Sequence, residues 1–229
     1  MSSAVLYGSN TYEFTVDSNA HHPISLQSPL IFGPFGTDTR LPLLRNLRSI
    51  DIDVLPDYSS HWTVRRQRSR LEYFVQILKE YADDENRKSL LQDLKVELRP
   101  GIPNVRLGVR HATAHHLSMQ SPTDTEKVMF GLESLASLRG IKDVEIIGLP
   151  DWYARCLQLC IQGKGGYVQE VNWPLIEVKR RRETWSRQTK LGWITTRKWY
   201  QPTLNWKEFA ERNGIPTPDD IDRFWADES

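Results

Sequence analysis

The sequence predicts an α/β fold: a short leucine-rich-repeat-like arc of three strand–helix units with parallel strands, an N-terminal β element and a Trp-rich helical C-terminal cap. Three observations support this prediction. One strand pattern occurs three times along the 229 residues, an apolar helical pattern follows each copy, and six of the eight Trp residues lie beyond Gly163. Strands that are joined by helical crossovers are expected to be parallel.

The N-terminal β element is the first predicted strand region. Val5–Tyr7 and Thr11–Val16 flank a Gly-Ser-Asn segment, which supplies turn chemistry. Apolar and polar residues alternate in the second stretch, as in a strand with one buried face. The sequence therefore predicts a hairpin-like element before the repeated units.

The repeated strand has the pattern apolar-x-x-apolar-x-apolar, and its copies begin at Leu47, Leu91 and Ile141. Apolar and polar residues alternate within each copy, which indicates one buried and one solvated face. A doubly wound fold buries both faces and favours continuous apolar strands. No Gly-x-Gly-x-x-Gly or phosphate-loop motif follows any copy. The pattern therefore favours helices on one side of the sheet over a Rossmann-type enzyme.

Each strand copy is followed by apolar residues at helical spacing. These residues are Leu71, Phe74, Val75 and Leu78 after the first copy, Val128, Leu132, Leu135 and Leu138 after the second, and Trp152, Cys156, Leu159 and Cys160 after the third. Gly163 is expected to end the third helix. Cys156 and Cys160 lie on its apolar side, where small buried cysteines are typical.

The polar positions of the strand copies predict a solvated sheet face. In the register that aligns the copies, this candidate partner-binding face consists of Asp51, Asp53, Lys95, Glu97 and Glu145. Asp93 and Asp143 align with Ser49 at one end of it. A face with a dominant charge sign suits the docking of a basic protein. Polar residues are also what any solvated sheet face requires, so that simpler explanation stays open.

The composition changes after Gly163. Between Lys179 and Arg212, ten Lys or Arg residues stand against three acids, although the whole chain has a net charge of only +1. We expect two domains, an α/β repeat domain over residues 1–166 and a Trp-rich basic helical extension over residues 167–229 that packs on it.

Three helices are predicted in this extension. The first runs from Pro174 to about Lys190, the second from Trp206 to Asn213, and a short one begins at Pro218.

The C-terminal Trp residues allow two interpretations. A solenoid needs a cap on its last apolar surface, and Trp buries a large area. Aromatic residues between basic ones can instead stack on bases and neutralise phosphates. The candidate nucleic-acid-binding residues are Lys179, Arg180, Arg181, Arg182, Lys198 and Trp199.

The sequence predicts no enzyme, no cofactor and no metal site. No Gly-x-Ser-x-Gly elbow is present, and the glycine-rich stretch at residues 163–166 follows a helix instead of a strand. His111 and His115 stand at i, i+4 beside His116, but the Glu of the protease motif and an evident third ligand are missing. Whether these His residues bind a metal stays open.

The compartment is predicted from what the chain lacks. No signal-peptide pattern and no apolar run of membrane-span length occur, and two cysteines cannot make a disulfide framework. We expect an intracellular protein of the cytoplasm or nucleus that does not contact a membrane. The run Lys179–Arg182 is either a nuclear-localisation patch or a solvated surface. The sequence leaves the oligomeric state of the protein open.

Ala4–Phe14 has the sequence AVLYGSNTYEF. It resembles a motif of a group of uncharacterised filamentous-fungal F-box-like proteins, in which Leu-Tyr is followed by a small residue and then Asn-Thr-aromatic-x-Phe. Leu44–Ile50 resembles a stretch that follows in that group, so the resemblance covers about the first 55 residues. The helix and F-box-like segment that precede the motif in the group have no counterpart, so the chain is expected to be N-terminally truncated relative to it.

The resemblance implies an α/β fold and a protein-interaction role, and it supplies no catalytic residue. Together with the polar face, it predicts a non-enzymatic protein that binds a protein partner and is a degenerate substrate-recruitment module. The alternative is a nucleic-acid-binding module that uses the basic aromatic C-terminal segment.

Overall fold

The fold is organised around a four-stranded sheet. In the computed structural model, β1 (Thr11–Asp17), β2 (Ser49–Leu55), β3 (Asp93–Leu98) and β4 (Asp143–Ile147) lie side by side in chain order, and each neighbouring pair is parallel. The structure describes residues 10–17, 47–55, 61–79, 90–99, 122–171, 176–182, 190–196 and 202–224. The predicted α/β class and the parallel pairing of the strand copies are therefore confirmed.

The strand register is the one that the three aligned copies predict. Ile50 lies opposite Leu94, which lies opposite Val144, and all three are buried. The residues one position further along, Asp51 and Lys95, point to the other face, because side chains alternate along a strand. A slip of one residue would exchange the two faces, so the hydrophobic pattern fixes this register.

The N-terminal β element belongs to the same sheet. The sequence predicts a hairpin-like element, whereas β1 pairs in parallel with β2 and adds a fourth strand. Its apolar side chains are buried, and the Phe14 ring lies 5.0 Å from the Phe74 ring. β1 has the same alternation as the three copies, so it buries its apolar side by extending their inner face. Val5–Tyr7 lie outside the described residues.

Three helices cover the apolar face of the sheet. These are α1 (His61–Lys79), α2 (Pro122–Leu132), which continues as a 3₁₀-helix over Glu133–Ser137, and α3 (Asp151–Ile161). Every residue of the three predicted apolar stripes is buried except Leu159, which is partly buried. These side chains and the inner face of the sheet form one hydrophobic core.

The outer edge of β4 is covered by two glutamine side chains, one in α3 and one directly after it. The Asp143 N–H donates to the Gln92 carbonyl on the β3 side, so the carbonyl groups of the residues on either side of Asp143 point away from the sheet. Gln158 Nε2 donates to the Val144 carbonyl at 2.7 Å, and Gln162 Nε2 donates to the Lys142 carbonyl at 3.2 Å. The two amides occupy positions that a further strand would fill.

The structure of the C-terminal extension differs from the predicted one at its first element. In place of the helix expected from Pro174 to about Lys190, strands β5 (Ile176–Arg182) and β6 (Lys190–Thr196) form an antiparallel hairpin. Alternate β-branched residues in β5 and the Ile-Thr-Thr end of β6 favour extended backbone. This preference outweighs the helix-start signal of Pro174, so the extension is only partly helical.

The other helix predictions in the extension fit the structure better. Helix α4 runs over Trp206–Arg212, and the positive φ of 65° at Gly214 follows its end. A 3₁₀-helix over Ile221–Phe224 follows Pro218. The Trp206 side chain is completely buried, and its ring packs edge-on against Tyr153 of α3 at 5.2 Å. The other five Trp side chains beyond Gly163 lie outside the described part of the structure.

A buried carboxylate attaches the C-terminal segment to the helical layer. Glu133 Oε2 accepts hydrogen bonds from Thr203 N–H at 2.9 Å, Thr203 Oγ1 at 2.7 Å and Arg68 Nη1 at 3.1 Å. Glu133 Oε1 accepts from Leu204 N–H at 3.1 Å and from Trp206 Nε1 at 3.0 Å. Five donors thus converge on one carboxylate whose side chain is 1% exposed.

Candidate functional site

The polar face of the sheet brings the five predicted partner-binding residues together. Asp51, Lys95 and Glu145 are direct neighbours in one row across β2, β3 and β4. Asp53 and Glu97 are neighbours in the next row. Rows along a strand are about 7 Å apart and strands about 4.8 Å apart, so all five side chains share one small surface.

Two further charged residues belong to this face, and sequence reasoning missed them. Glu13 lies opposite Asp51 because β1 is part of the sheet. Arg99 is the next outward position after Glu97, just beyond the end of β3. The alternation of Glu13 with apolar neighbours was the available signal, and it requires only that β1 be aligned with the copies.

The charges on the face are compensated at one end only. Arg99 lies 3.2 Å from Asp53 Oδ1 and 3.1 Å from Glu97 Oε1, and Lys95 Nζ lies 3.4 Å from Glu97 Oε2. Five other carboxylates form no ion pair with any part of the chain that the structure describes. We call them the acidic end of the face: Glu13, Asp51, Asp93, Asp143 and Glu145.

The two ends of the face differ in how their carboxyl groups titrate. Burial raises the pKa of Asp51 above its ordinary value; the nearby Lys95 opposes this, while carboxylates that include Glu13 and Glu145 add to it. The hydrogen bond from Arg99 lowers the pKa of Glu97 below its ordinary value. Negative charge is therefore crowded at the acidic end and neutralised near Arg99.

The other candidate chemistry is not assembled in the described residues. No group of three or more His, Cys, Asp and Glu side chains among them is arranged to hold a metal ion. His111, His115 and His116 lie outside the described ranges. Cys156 is buried, and burial raises its pKa to about 12, so its thiol is protonated at neutral pH and is a poor nucleophile.

The candidate nucleic-acid-binding residues fall mainly in the hairpin. Lys179–Arg182 occupy β5, where Lys179 lies opposite Trp193 and Arg181 opposite Leu191. The structure does not describe the side chains of β5 and β6, and Lys198 and Trp199 lie outside the described residues altogether. The register nevertheless shows that a basic residue and a Trp are cross-strand partners.

Comparisons with known proteins give no match for this chain. No protein-family model, no curated protein sequence and no solved structure matches it. Within the described ranges, none of the helices has the length and apolar character needed to cross a membrane. The fungal F-box-like resemblance stays a prediction from the residues.

Proposed function

We propose that this protein is a non-enzymatic interaction protein that binds a basic protein partner on the polar face of the sheet. The observation that supports this function best is the acidic end of the face, where five carboxylates have no ion-pair partner among the described residues. Uncompensated surface charge of one sign attracts partners of the opposite sign and orients them before contact.

The architecture of the sheet supports the same function. The strands follow one another in chain order, and their buried residues all belong to the core with the helices. We propose that the chain forms a short leucine-rich-repeat-like arc of this kind. Solenoid proteins of this type present an extended open surface to their partners.

The resemblance to fungal F-box-like proteins adds a biological role to this proposal. Under it, the protein is a degenerate substrate-recruitment module of the cytoplasm or nucleus, with the polar face as the surface that recognises the recruited protein.

Affinity purification from the native host tests the proposal. The full chain and the double variant D51N/E145Q are used as baits in parallel, and the bound proteins are identified by mass spectrometry. We expect a basic protein that the wild type retains and the variant loses, with retention falling as salt increases because the attraction is electrostatic.

A charge-matched control separates this face from general acidity. The variant E170Q/D219N removes two exposed acids of the C-terminal segment. It should retain the same partner as the wild type. If both double variants retain that partner equally well, the polar face does not bind it.

The alternative function is nucleic-acid binding through the hairpin. The cross-strand pairing of Lys179 with Trp193 favours it, because a basic residue and an aromatic ring are the elements of a stacking and phosphate-binding site. Titration with single-stranded RNA at rising salt tests this alternative. Absence of binding at low salt removes it.

A further inference from the structure

A tyrosine outside the polar face is presented to solvent by an ordered loop. Tyr167 is 81% exposed, the largest exposure among the large hydrophobic residues whose side chains the structure describes. It follows Gly165 and Gly166, which both have positive φ. A ring this exposed adds little to the core, and its surface is available to a ligand.

The backbone of this loop is held in place by three side chains. Arg212 Nη2 donates to the carbonyl groups of Gly165 at 3.3 Å and Tyr167 at 2.7 Å. Arg139 Nη1 donates to the Gly166 carbonyl at 3.2 Å, and Asn213 Nδ2 donates to the Gly165 carbonyl at 3.3 Å. The ring therefore projects from a fixed backbone, and little ordering is needed when it binds a ligand.

Arg139 lies over one face of the Tyr167 ring, and no other described residue has a recorded contact with the ring. The Arg139 guanidinium lies 4.8 Å from the ring centroid, and a hydrogen bond of 2.7 Å to the Cys160 carbonyl holds it there. Gly165 and Gly166 have no side chains that could cover the ring. A second planar group can therefore stack on the free face, as a base stacks on an aromatic side chain.

The charges around the ring are predominantly positive. Arg139 and Arg212 contact the loop directly, and Lys164 is exposed and forms no ion pair with any described residue. Among the described residues, Glu208 is the acid that forms an ion pair with this group, 3.8 Å from Arg212. A flat ring bordered by cations complements a ligand that combines planar rings with negative charge.

We propose that the Tyr167 loop is a binding site for single-stranded nucleic acid, in which a base stacks on Tyr167 and the flanking phosphates lie near Lys164 and Arg212. An acidic peptide would match the cations but would leave the free ring face without a planar partner. The site is separate from the polar face of the sheet and from the β5–β6 hairpin, so it does not depend on the function proposed above.

Fluorescence anisotropy with a labelled single-stranded oligouridine tests this site in the full-length protein at low salt. Y167A should weaken binding by at least about fivefold, since it removes one stacked base. Y167F keeps the ring and should bind like the wild type. K164Q should reduce the slope of log affinity against log salt by about 0.7, the value for one phosphate contact on a single strand.

Several results would overturn the proposal. One is that the wild type does not bind RNA, and another is that Y167A binds RNA as tightly as the wild type. If R180Q/R181Q also loses RNA binding while Y167A keeps it, the RNA binds the hairpin instead. A Glu-rich peptide that binds through Tyr167 while RNA does not would make the loop a protein-docking site. Because Tyr167 is exposed, unchanged circular dichroism of Y167A shows that any loss is local.

Discussion

Glu133 joins parts of the chain that are far apart in sequence. Its carboxylate accepts hydrogen bonds from Arg68 of α1 and from the segment Thr203–Trp206. We expect E133Q to lower the free energy of unfolding by about 3 kcal/mol, because the amide places an N–H group among donors and leaves Arg68 without its buried partner. Urea denaturation followed by Trp fluorescence measures this loss.

Glu72 provides the matched control for Glu133. It pairs with the same arginine at 2.6 Å, but its side chain is 47% exposed. Exposed pairs contribute little, so E72Q should cost less than about 1 kcal/mol. Equal losses in the two variants would show that burial of the carboxylate is not what makes Glu133 important.

The polar face should show opposite pH effects at two residues. The raised pKa of Asp51 means that its ionised form destabilises the fold, so its contribution is favourable below the ordinary Asp value and is lost as pH rises through the raised pKa. The lowered pKa of Glu97 means that its contribution is present above the ordinary Glu value and is lost as pH falls.

Two neutral variants check these signs. D51N should be more stable than the wild type at pH 7, and E97Q should be less stable. Both differences should shrink as pH falls towards 3, because the wild-type carboxyl groups take up protons. Urea unfolding at the two pH values measures them, and differences of the same sign at pH 7 would contradict the proposed charge distribution.

Residue-level roles were only partly predictable. The five predicted face residues lie together because a strand pattern fixes both register and face. The role of Glu133 was not predictable, since a Glu in a helical stretch has no local mark of burial. Its partners Thr203 and Trp206 lie about 70 residues away, and only the folded chain brings them together.

At the level of single elements, the β4 edge depends on Gln158. Replacing it by Ala leaves the part-buried Val144 carbonyl without its donor at 2.7 Å. We expect Q158A to lose about 1–2 kcal/mol of stability and to self-associate as concentration rises, because an open strand edge pairs with other chains. Urea denaturation and analytical ultracentrifugation measure the two effects.

Gln162, the residue directly after α3, offers a control. Its bond to the Lys142 carbonyl is longer, at 3.2 Å, and exposed, so water can replace it. Q162A should therefore change stability by less than about 0.5 kcal/mol. Self-association of Q162A but not Q158A would show that the edge is protected in another way.

The elements themselves were predictable where periodicity is strong. The three strand copies and the helices after them follow from alternating and helical apolar spacing. The β5–β6 hairpin was missed because a run of four basic residues has no apolar period, and Pro174 is equally compatible with the start of a helix. In β5 the remaining signal was Ile176 and Val178, only two residues.

For the whole molecule, the single core predicts one cooperative unfolding transition. Trp206, Phe209 and Ile215 belong to the same core as the sheet residues, so the C-terminal segment should not unfold alone. W206A should lower the stability of the entire fold by about 3–5 kcal/mol. Hydrogen exchange of β4 amides checks this, because they should lose protection together with α4.

A different result for W206A would contradict a single cooperative unit. If W206A frees the α4 amides and leaves exchange in β4 unchanged, the C-terminal segment is an independent unit. The two-domain division at residue 166 would then be supported by experiment.

The junctions between strands have a consequence for how such a chain changes in evolution. Asp93 N–H bonds to the Arg48 carbonyl at 2.9 Å, and Asp143 N–H bonds to the Gln92 carbonyl at the same distance. β3 and β4 therefore each begin on the preceding strand through the same kind of contact. A duplicated strand–helix unit inserted between β3 and β4 would find matching neighbours on both sides. Gene duplication within the chain can thus lengthen the sheet while the terminal edge and its glutamines stay unchanged.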